Sequence, residues 1–402
     1  MIEIKDKEDC CGCWACVQRC PKQCISMKED EEGFLYPHVD STQCVNCGLC
    51  KKVCPVINQA HPHEPLSVTA ARNIDEIIRR QSSSGGIFTL LAEKVIKEGG
   101  VVFGARFNDH WEVVHDSTDT IEGIAAFRGS KYVQSSTGDC FIKTEQLLKQ
   151  GRRVLYSGTP CQIAGLKRFL QRDYDNLITT DVICHGVPSP GVWQKYLSEE
   201  TAHQINKGRF VYFRPFRKDE FRIINISFRD KYTSWKQYSF TLSLSKTNEC
   251  GESLCYRRTR EENIFMRGFT SDLYLRPSCY QCPTKELKSG SDITIGDFWG
   301  IEHIMPHLDD DRGLCCLLVN TERGQALVNS IDAVQHEANY KDIIRYNPSL
   351  VRSSEIPSKR MEFFSGLPKY GMLRTTERLT RNPFILRCKN AIHNSLKKLG
   401  LR

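Results

Sequence analysis

Between residues 82 and 186 the hydrophobic positions of this chain change period several times, from helix to strand and back. In SSSGGIFTLLAEKVIKEGG the apolar residues Ile87, Leu90, Leu91, Val95 and Ile96 share one helical face, with Ser84 as the expected N-cap and Gly99-Gly100 as the stop. VVFGARF and WEVVHDS then read as a hairpin turning through Asn108-Asp109. RGSKYVQSS, from Arg128 to Ser136, reads as a loop, and a second amphipathic stretch ends at Gly151. RRVLYSG, TPCQ, IAGLKRFLQ and NLITTDVICHG follow as strand, turn, helix and strand, a β-α-β unit that implies a parallel sheet. Cys161 would then start the helix and Cys184 end the next strand. Both would lie at the carboxyl edge, where open α/β sheets collect ligands.

PGVWQKYLSEETAHQ has helical spacing, and alternation near Phe210, Ile224 and Phe240 predicts antiparallel strands. SCYQCPTKELKSGSDITIGDFWG places a C-x-x-C-P before a strand and a turn; strand GLCCLLVN and helix TERGQALVNSI close the body. Beyond Asn339 the pattern weakens, except for Phe384, Cys388, Ala391, Ile392, Ser395, Leu396 and Leu399, which line one face of a terminal helix. Gln59 to Leu66, with two prolines and two histidines, reads as a linker. The expected fold class is a multidomain α+β and α/β chain.

With 402 residues, 40% of them hydrophobic, the chain is long enough for two or three domains with real cores. Twenty cysteines far exceed ordinary usage, yet Met1 to Asp9 is charged and lacks the apolar core of a signal peptide. A cytoplasmic chain with its cysteines committed to metal is therefore expected. No apolar run approaches the roughly 20 residues of a membrane span. From Lys369 to Arg402 nine basic residues face one acid, Glu377, so the tail carries the whole formal charge of +8. Cluster-bound thiolates would leave the body acidic. The basic tail helix would dock on its own domain, or contact the inner membrane face or an acidic partner. Nucleic-acid binding would rest on this tail alone, and its charges are not interleaved with aromatics.

The cysteines change the picture most. Cys10, Cys13, Cys16 and Cys20-Pro21, then Cys44, Cys47, Cys50 and Cys54-Pro55, repeat C-x-x-C-x-x-C-x-x-x-C-P. Three thiolates two residues apart reach corners of a cuboidal cluster from a tight loop, and the proline stops the chain continuing as helix. Zinc ribbons or disulfides explain neither proline. The stretch resembles a bacterial two-cluster ferredoxin, in which the fourth cysteine of each run crosses to the other cluster. That resemblance implies one 4Fe-4S cluster on Cys10, Cys13, Cys16 and Cys54, and another on Cys44, Cys47, Cys50 and Cys20. Cys11 and Cys24 fall outside the pattern and are expected to pack beside the clusters.

Cys161, Cys184, Cys279 and Cys282 stand apart, each beside turn residues. By spacing alone they suit a third 4Fe-4S site, zinc or a structural turn. SSGGIFTLLAEKVIKEGG, RGSKYVQS, SGTPCQIAGLKRFL, VICHGVPSP and RPSCYQCP with DITIGDFWG resemble, in order, the signature blocks of the family of coenzyme F-420 hydrogenase/dehydrogenase beta subunits. The resemblance implies a flavin, FAD, beside a 4Fe-4S cluster held by those four cysteines. Ser84, Gly85 and Gly86 at a helix start, and Lys131, Tyr132 and Gln134 in the following loop, match its flavin-site blocks. Lys131 would stabilise negative charge on the reduced ring and is the candidate catalytic residue. The domains implied are 1–60 with two clusters, 66–150 with the flavin site, 151–335 with the third cluster, and a 336–402 extension.

The function implied is an iron-sulfur flavoprotein oxidoreductase joining a ferredoxin-like one-electron carrier to a two-electron organic substrate. Bacterial relatives that accompany surface-polysaccharide genes make that metabolism one expected setting. The alternatives are a non-catalytic electron-transfer subunit of a larger complex, or a dehydrogenase of the deazaflavin coenzyme. No G-x-G-x-x-G occurs, so nicotinamide binding on a Rossmann domain has no support.

Overall fold

The computed structural model describes residues 1–212, 221–246 and 253–381. Its N-terminal part holds a hairpin, β1 (Ile25–Glu29) and β2 (Leu35–Val39), between the two cysteine loops. The remaining strands are β3 (Ser67–Asn73), β4 (Val101–Phe107), β5 (Val113–Thr118), β6 (Val154–Gly158), β7 (Leu177–Val182), β8 (Phe221–Asp230), β9 (Ser239–Lys246), β10 (Ser253–Thr259), β11 (Ile293–Asp297), β12 (Cys315–Val319) and β13 (Ala333–Glu337).

One eight-stranded sheet, ordered β13-β3-β12-β11-β7-β6-β4-β5, organises the body. Its centre is parallel, β11 with β7, β7 with β6 and β6 with β4, and antiparallel strands close both sides. Segments 66–150 and 151–335 thus both contribute strands to a single sheet. The expected β-α-β unit is present: β6, the helix Pro160–Leu170 and β7. Proline at the first helical position and a Thr159–Gln162 capping box start that helix immediately after the strand.

β8, β9 and β10 form a second, antiparallel sheet. It shares a core with the helices Pro190–Tyr212, Ile264–Thr270, Arg360–Tyr370 and Met372–Leu379, centred on Trp193, Tyr196, Phe240 and Phe265. The strand expected near Phe210 is instead the continuation of the helix from Pro190. Extending a helix already begun requires less ordering than starting a strand, and a few alternating residues do not override it.

The ferredoxin-type part packs on the body. Gly33 lies against Gly191, and a Cβ on Gly191 would stand 2.7 Å from the Gly33 Cα. Glu32 pairs with both terminal nitrogens of Arg360, and Gln18 Oε1 accepts from the Phe141 amide at 2.8 Å. The linker reading of Gln59 to Leu66 holds: no regular element lies between 59 and 65. Among the described residues no helix is long and apolar enough to cross a membrane. The predicted tail helix, Cys388 included, falls outside the described residues.

Candidate redox site

Three groups of cysteines form. Cys10, Cys13, Cys16 and Cys54 lie near one another, with Cys50 of the second run close to Cys16 and Cys54. Cys20, Cys44, Cys47 and Cys50 line a second cavity of about 20 Å³ together with Cys24. The Cys20 and Cys24 sulfurs are 3.5 Å apart, and their environments separate them. Desolvation opposes ionisation of Cys20, but the backbone amides of Cys24, Lys22 and Gln23, with the Cys24 thiol, together hold it below its ordinary value. Burial, followed by Cys20, pushes Cys24 up to about 11.

The third group gathers at the carboxyl edge. Cys161 is the second residue of its helix, Cys184 follows β7 by two residues, and Cys279 and Cys282 come from the 3-10 turn Pro277–Gln281 and its cap. All four line a cavity of about 40 Å³, with Cys11 entering from the ferredoxin side. Desolvation raises Cys184 to about 12 and Cys279 well above an ordinary thiol, and each is raised further by its neighbours. Cys161 is raised first by its contact with Cys11 and then by burial. Crowded, buried thiols stay protonated unless positive charge compensates them, which is what a metal centre provides. Two cations missed in the sequence stand here. The Lys285 ammonium donates to the Cys184 and Ser349 carbonyls at 2.7 and 2.6 Å. Buried Arg276 donates to the Cys10 carbonyl at 2.6 Å and lies 3.4 Å from the Cys10 sulfur. Their place inside the R-P-S-C-Y-Q-C-P-T-K block was the only local signal.

Val182 to Val187 form a wall shared by this cavity and a much larger one of about 520 Å³. Ser84, Gly86, Lys131 and Tyr132 line the larger cavity. Ser84 is not the N-cap: its hydroxyl donates to the Leu314 carbonyl at 2.7 Å. Gly86, at φ 83°, takes that position and leaves the helix Ile87–Lys97 without a side-chain cap. Gly85 is absent from the lining, because it presses on the sheet; a Cβ there would meet the Ala71 carbonyl oxygen at 2.5 Å. Gln134 is also absent from it. Its amide nitrogen donates to the Cys11 carbonyl at 3.0 Å, so this residue grips the ferredoxin loop instead.

Lys131 donates to the Arg128 and Gly129 carbonyls at 3.2 and 3.1 Å, and desolvation lowers it to about 7. His115, lowered by burial to about 4, is neutral, with Nε2 against the Ser157 carbonyl and Nδ1 against the Ser135 hydroxyl, each at 3.0 Å. Arg229, also missed in the sequence, forms a two-pronged pair with Asp297 at 2.8 and 3.0 Å, with only 4% of its side chain exposed. Among the described residues its Nε has no partner. Trp235 Nε1 donates to Asp297 at 2.8 Å and the Trp235 and Trp299 rings stack at 4.9 Å, so the G-D-F-W-G turn helps build the cavity. His185 contacts Asp272 at 2.5 Å, and Cys315 accepts from the Gly85 amide at 3.2 Å. A cofactor-sized volume, an uncapped helix start and an unpartnered buried arginine N–H fit a large anionic ligand such as a flavin nucleotide.

Comparison with known proteins places these features in context. Residues 151–342 match the family model for the C terminus of the coenzyme F420 hydrogenase/dehydrogenase beta subunit, and residues 9–58 match the 4Fe-4S dicluster domain. An uncharacterized protein of Methanocaldococcus jannaschii is 26% identical over 44% of this chain and 56% of its own length. A subunit of the F(420)H(2) dehydrogenase of Methanosarcina mazei is 24% identical over 40% of this chain and 49% of its own. The chain thus spans about half the length of these two relatives. A Streptomyces griseus ferredoxin is 40% identical over 55 residues, 14% of this chain and 41% of that protein. Among solved structures, a chain of the xenon-derivatised F420-reducing [NiFe] hydrogenase complex from Methanosarcina barkeri aligns at 14% identity. It covers 72% of this chain and 90% of that one, with a TM-score of 0.46.

Proposed function

Because the chain joins a 4Fe-4S dicluster domain to a C-terminal domain of the family of coenzyme F420 hydrogenase/dehydrogenase beta subunits, we propose that it is an iron-sulfur flavoprotein oxidoreductase. It would exchange single electrons with a ferredoxin-like carrier and electron pairs with an organic substrate. Clusters handle one electron at a time and FAD two, and that is the chemistry the bound groups supply.

Cys10, Cys13, Cys16 and Cys54 would hold one cluster, Cys20, Cys44, Cys47 and Cys50 the second, and Cys161, Cys184, Cys279 and Cys282 the third. Ser84, Gly86, Lys131 and Tyr132 would hold the flavin, with Arg229 on the same wall. Lys131 brings to the cavity an ammonium that has no carboxylate partner among the described residues, where a negative charge formed on reduction would be stabilised. The observation that carries the reading is the shared wall from Val182 to Val187: a four-cysteine cavity and a flavin-sized cavity stand back to back.

The name of the Methanosarcina mazei relative makes the deazaflavin coenzyme the first two-electron reagent to try. That relative's place within a larger dehydrogenase also favours a second reading, a relay serving a partner enzyme. Chain reconstituted anaerobically with iron, sulfide and FAD tests both. Reduced ferredoxin should bleach the flavin absorbance in the wild type and leave it oxidised in Cys184→Ala. A wild-type flavin that stays oxidised while the iron-sulfur absorbance bleaches contradicts the proposal. Turnover of an organic oxidant by the isolated chain separates enzyme from relay.

A further inference from the structure

Cys11 lies outside the C-x-x-C spacing, yet it joins the four cysteines lining the cavity at the sheet edge. It packs with Cys13 of its own domain and Cys161 of the body in one buried cluster. The loop that carries it is fixed from both directions. Arg276 holds the Cys10 carbonyl at 2.6 Å, Gln134 holds the Cys11 carbonyl at 3.0 Å, and Gly12 follows at φ +68° with no room for a Cβ. Cys13 is itself pressed on the helix that begins with Cys161; a Cβ on Gly165 would stand 2.8 Å from the Cys13 Cβ.

We propose that Cys11 is a positioning residue that couples two redox centres, its thiol lying between Cys13 of the ferredoxin-type domain and Cys161 of the body without ligating either. One S–H proton serves one sulfur at a time. A donor to a ligating sulfur stabilises the extra negative charge of a reduced cluster and so raises its potential. The same residue packs with both ligating side chains and so joins domain to body at this edge. No bond is made or broken; only an electron passes.

This inference rests on the cluster reading of the Cys161 cavity, and the measurement keeps the two apart. Holoprotein with Cys11→Ala and with Cys11→Ser is analysed for iron and followed by EPR-monitored redox titration. Both variants should keep the full wild-type iron content of about twelve atoms per chain. In Cys11→Ala at least one of the two neighbouring centres should move to lower potential, by roughly tenfold in its oxidised-to-reduced ratio, about 59 mV for one electron. Cys11→Ser, which keeps a donor, should recover part of that shift, and the centre on the Cys44 side should not move. Loss of about four iron atoms in both variants would make Cys11 a ligand and overturn the proposal. Full iron with all three potentials unmoved would also overturn it, leaving Cys11 as packing. Wild-type protein with only about eight iron atoms would instead contradict the cluster reading itself.

Discussion

The cysteine cavities and the large cavity are built in opposite ways. The first two cysteine groups come from 45 residues of chain, Cys10 to Cys54, and the second of them lines a cavity of only about 20 Å³. The large cavity draws on segments from Ser82 to Ser349, and its Arg229–Asp297 ion pair joins residues 68 apart in sequence. The Cys161 cavity belongs to both kinds: it has the chemistry of the first and the long-range assembly of the second. A site built from one loop is specified by spacing, whereas a site built from a sheet edge is specified by the fold. The edge should therefore lose its function whenever the sheet is disturbed, while the ferredoxin loops should depend mainly on their own ligands.

The largest expected effect on this contrast comes from Arg229→Met. The change leaves the partly buried Asp297 without its guanidinium partner and with only Trp235 to hold it, and breaking such a pair costs up to about 3–5 kcal/mol. Denaturant midpoints should fall accordingly, and flavin retention should fall with them, while absorbance from the Cys44 cluster persists. Equal loss of that cluster would erase the distinction between the two kinds of site.

Lys131 gives a dependence on pH. Its burial lowers the native value to about 7, against 10.5 for an unperturbed lysine. Below pH 7 both native and unfolded chains hold the proton, and the cost of the buried charge is fully present. Between about pH 7 and 10.5 the unfolded chain binds more protons than the native one, so stability should rise with pH across that window. Lys131→Met removes this rise, making the variant relatively more stable at pH 6 and losing that advantage by pH 10. Paired denaturation curves would show it. A difference that does not change with pH would place the Lys131 ammonium in solvent.

Gly165→Ala is the smallest and sharpest change. In an ordinary helix interior it stabilises by about 1 kcal/mol. Here the new Cβ meets Cys13 Cβ at 2.8 Å and its sulfur at 2.9 Å, and overpacking of this kind costs about 1–3 kcal/mol. A net loss of roughly 1 kcal/mol is expected in chemical denaturation. A gain would mean that the two domains meet less tightly than the structure shows.

Much of this was legible in the sequence, for identifiable reasons. The β-α-β unit was readable because an apolar run, a capping Thr-Pro and a 3.6-residue period follow one another without interruption. Both ferredoxin runs were readable because their geometry is local. The helix start at Ser84 was misplaced by two residues, since three serines offer an N-cap while the close approach of Gly85 to Ala71 moves the turn to Gly86. Gln134 sits in a block that resembles a flavin site, yet it faces the ferredoxin loop; no local pattern records which side of a loop a residue serves. Arg229 and Trp235 were invisible because their partner, Asp297, comes from another strand. Arg276 and Lys285 lay beside the cysteines and went unweighed because a basic residue next to a C-x-x-C is ordinary on a surface.

The central claim is that a cluster stands at the sheet edge between the ferredoxin-type domain and the large cavity. Iron and acid-labile sulfide per chain, measured on anaerobically reconstituted wild type and Cys184→Ala, test it most directly. The account predicts about twelve iron atoms in the wild type and about eight in the variant, with the ferredoxin-type clusters intact. About eight in both would contradict it.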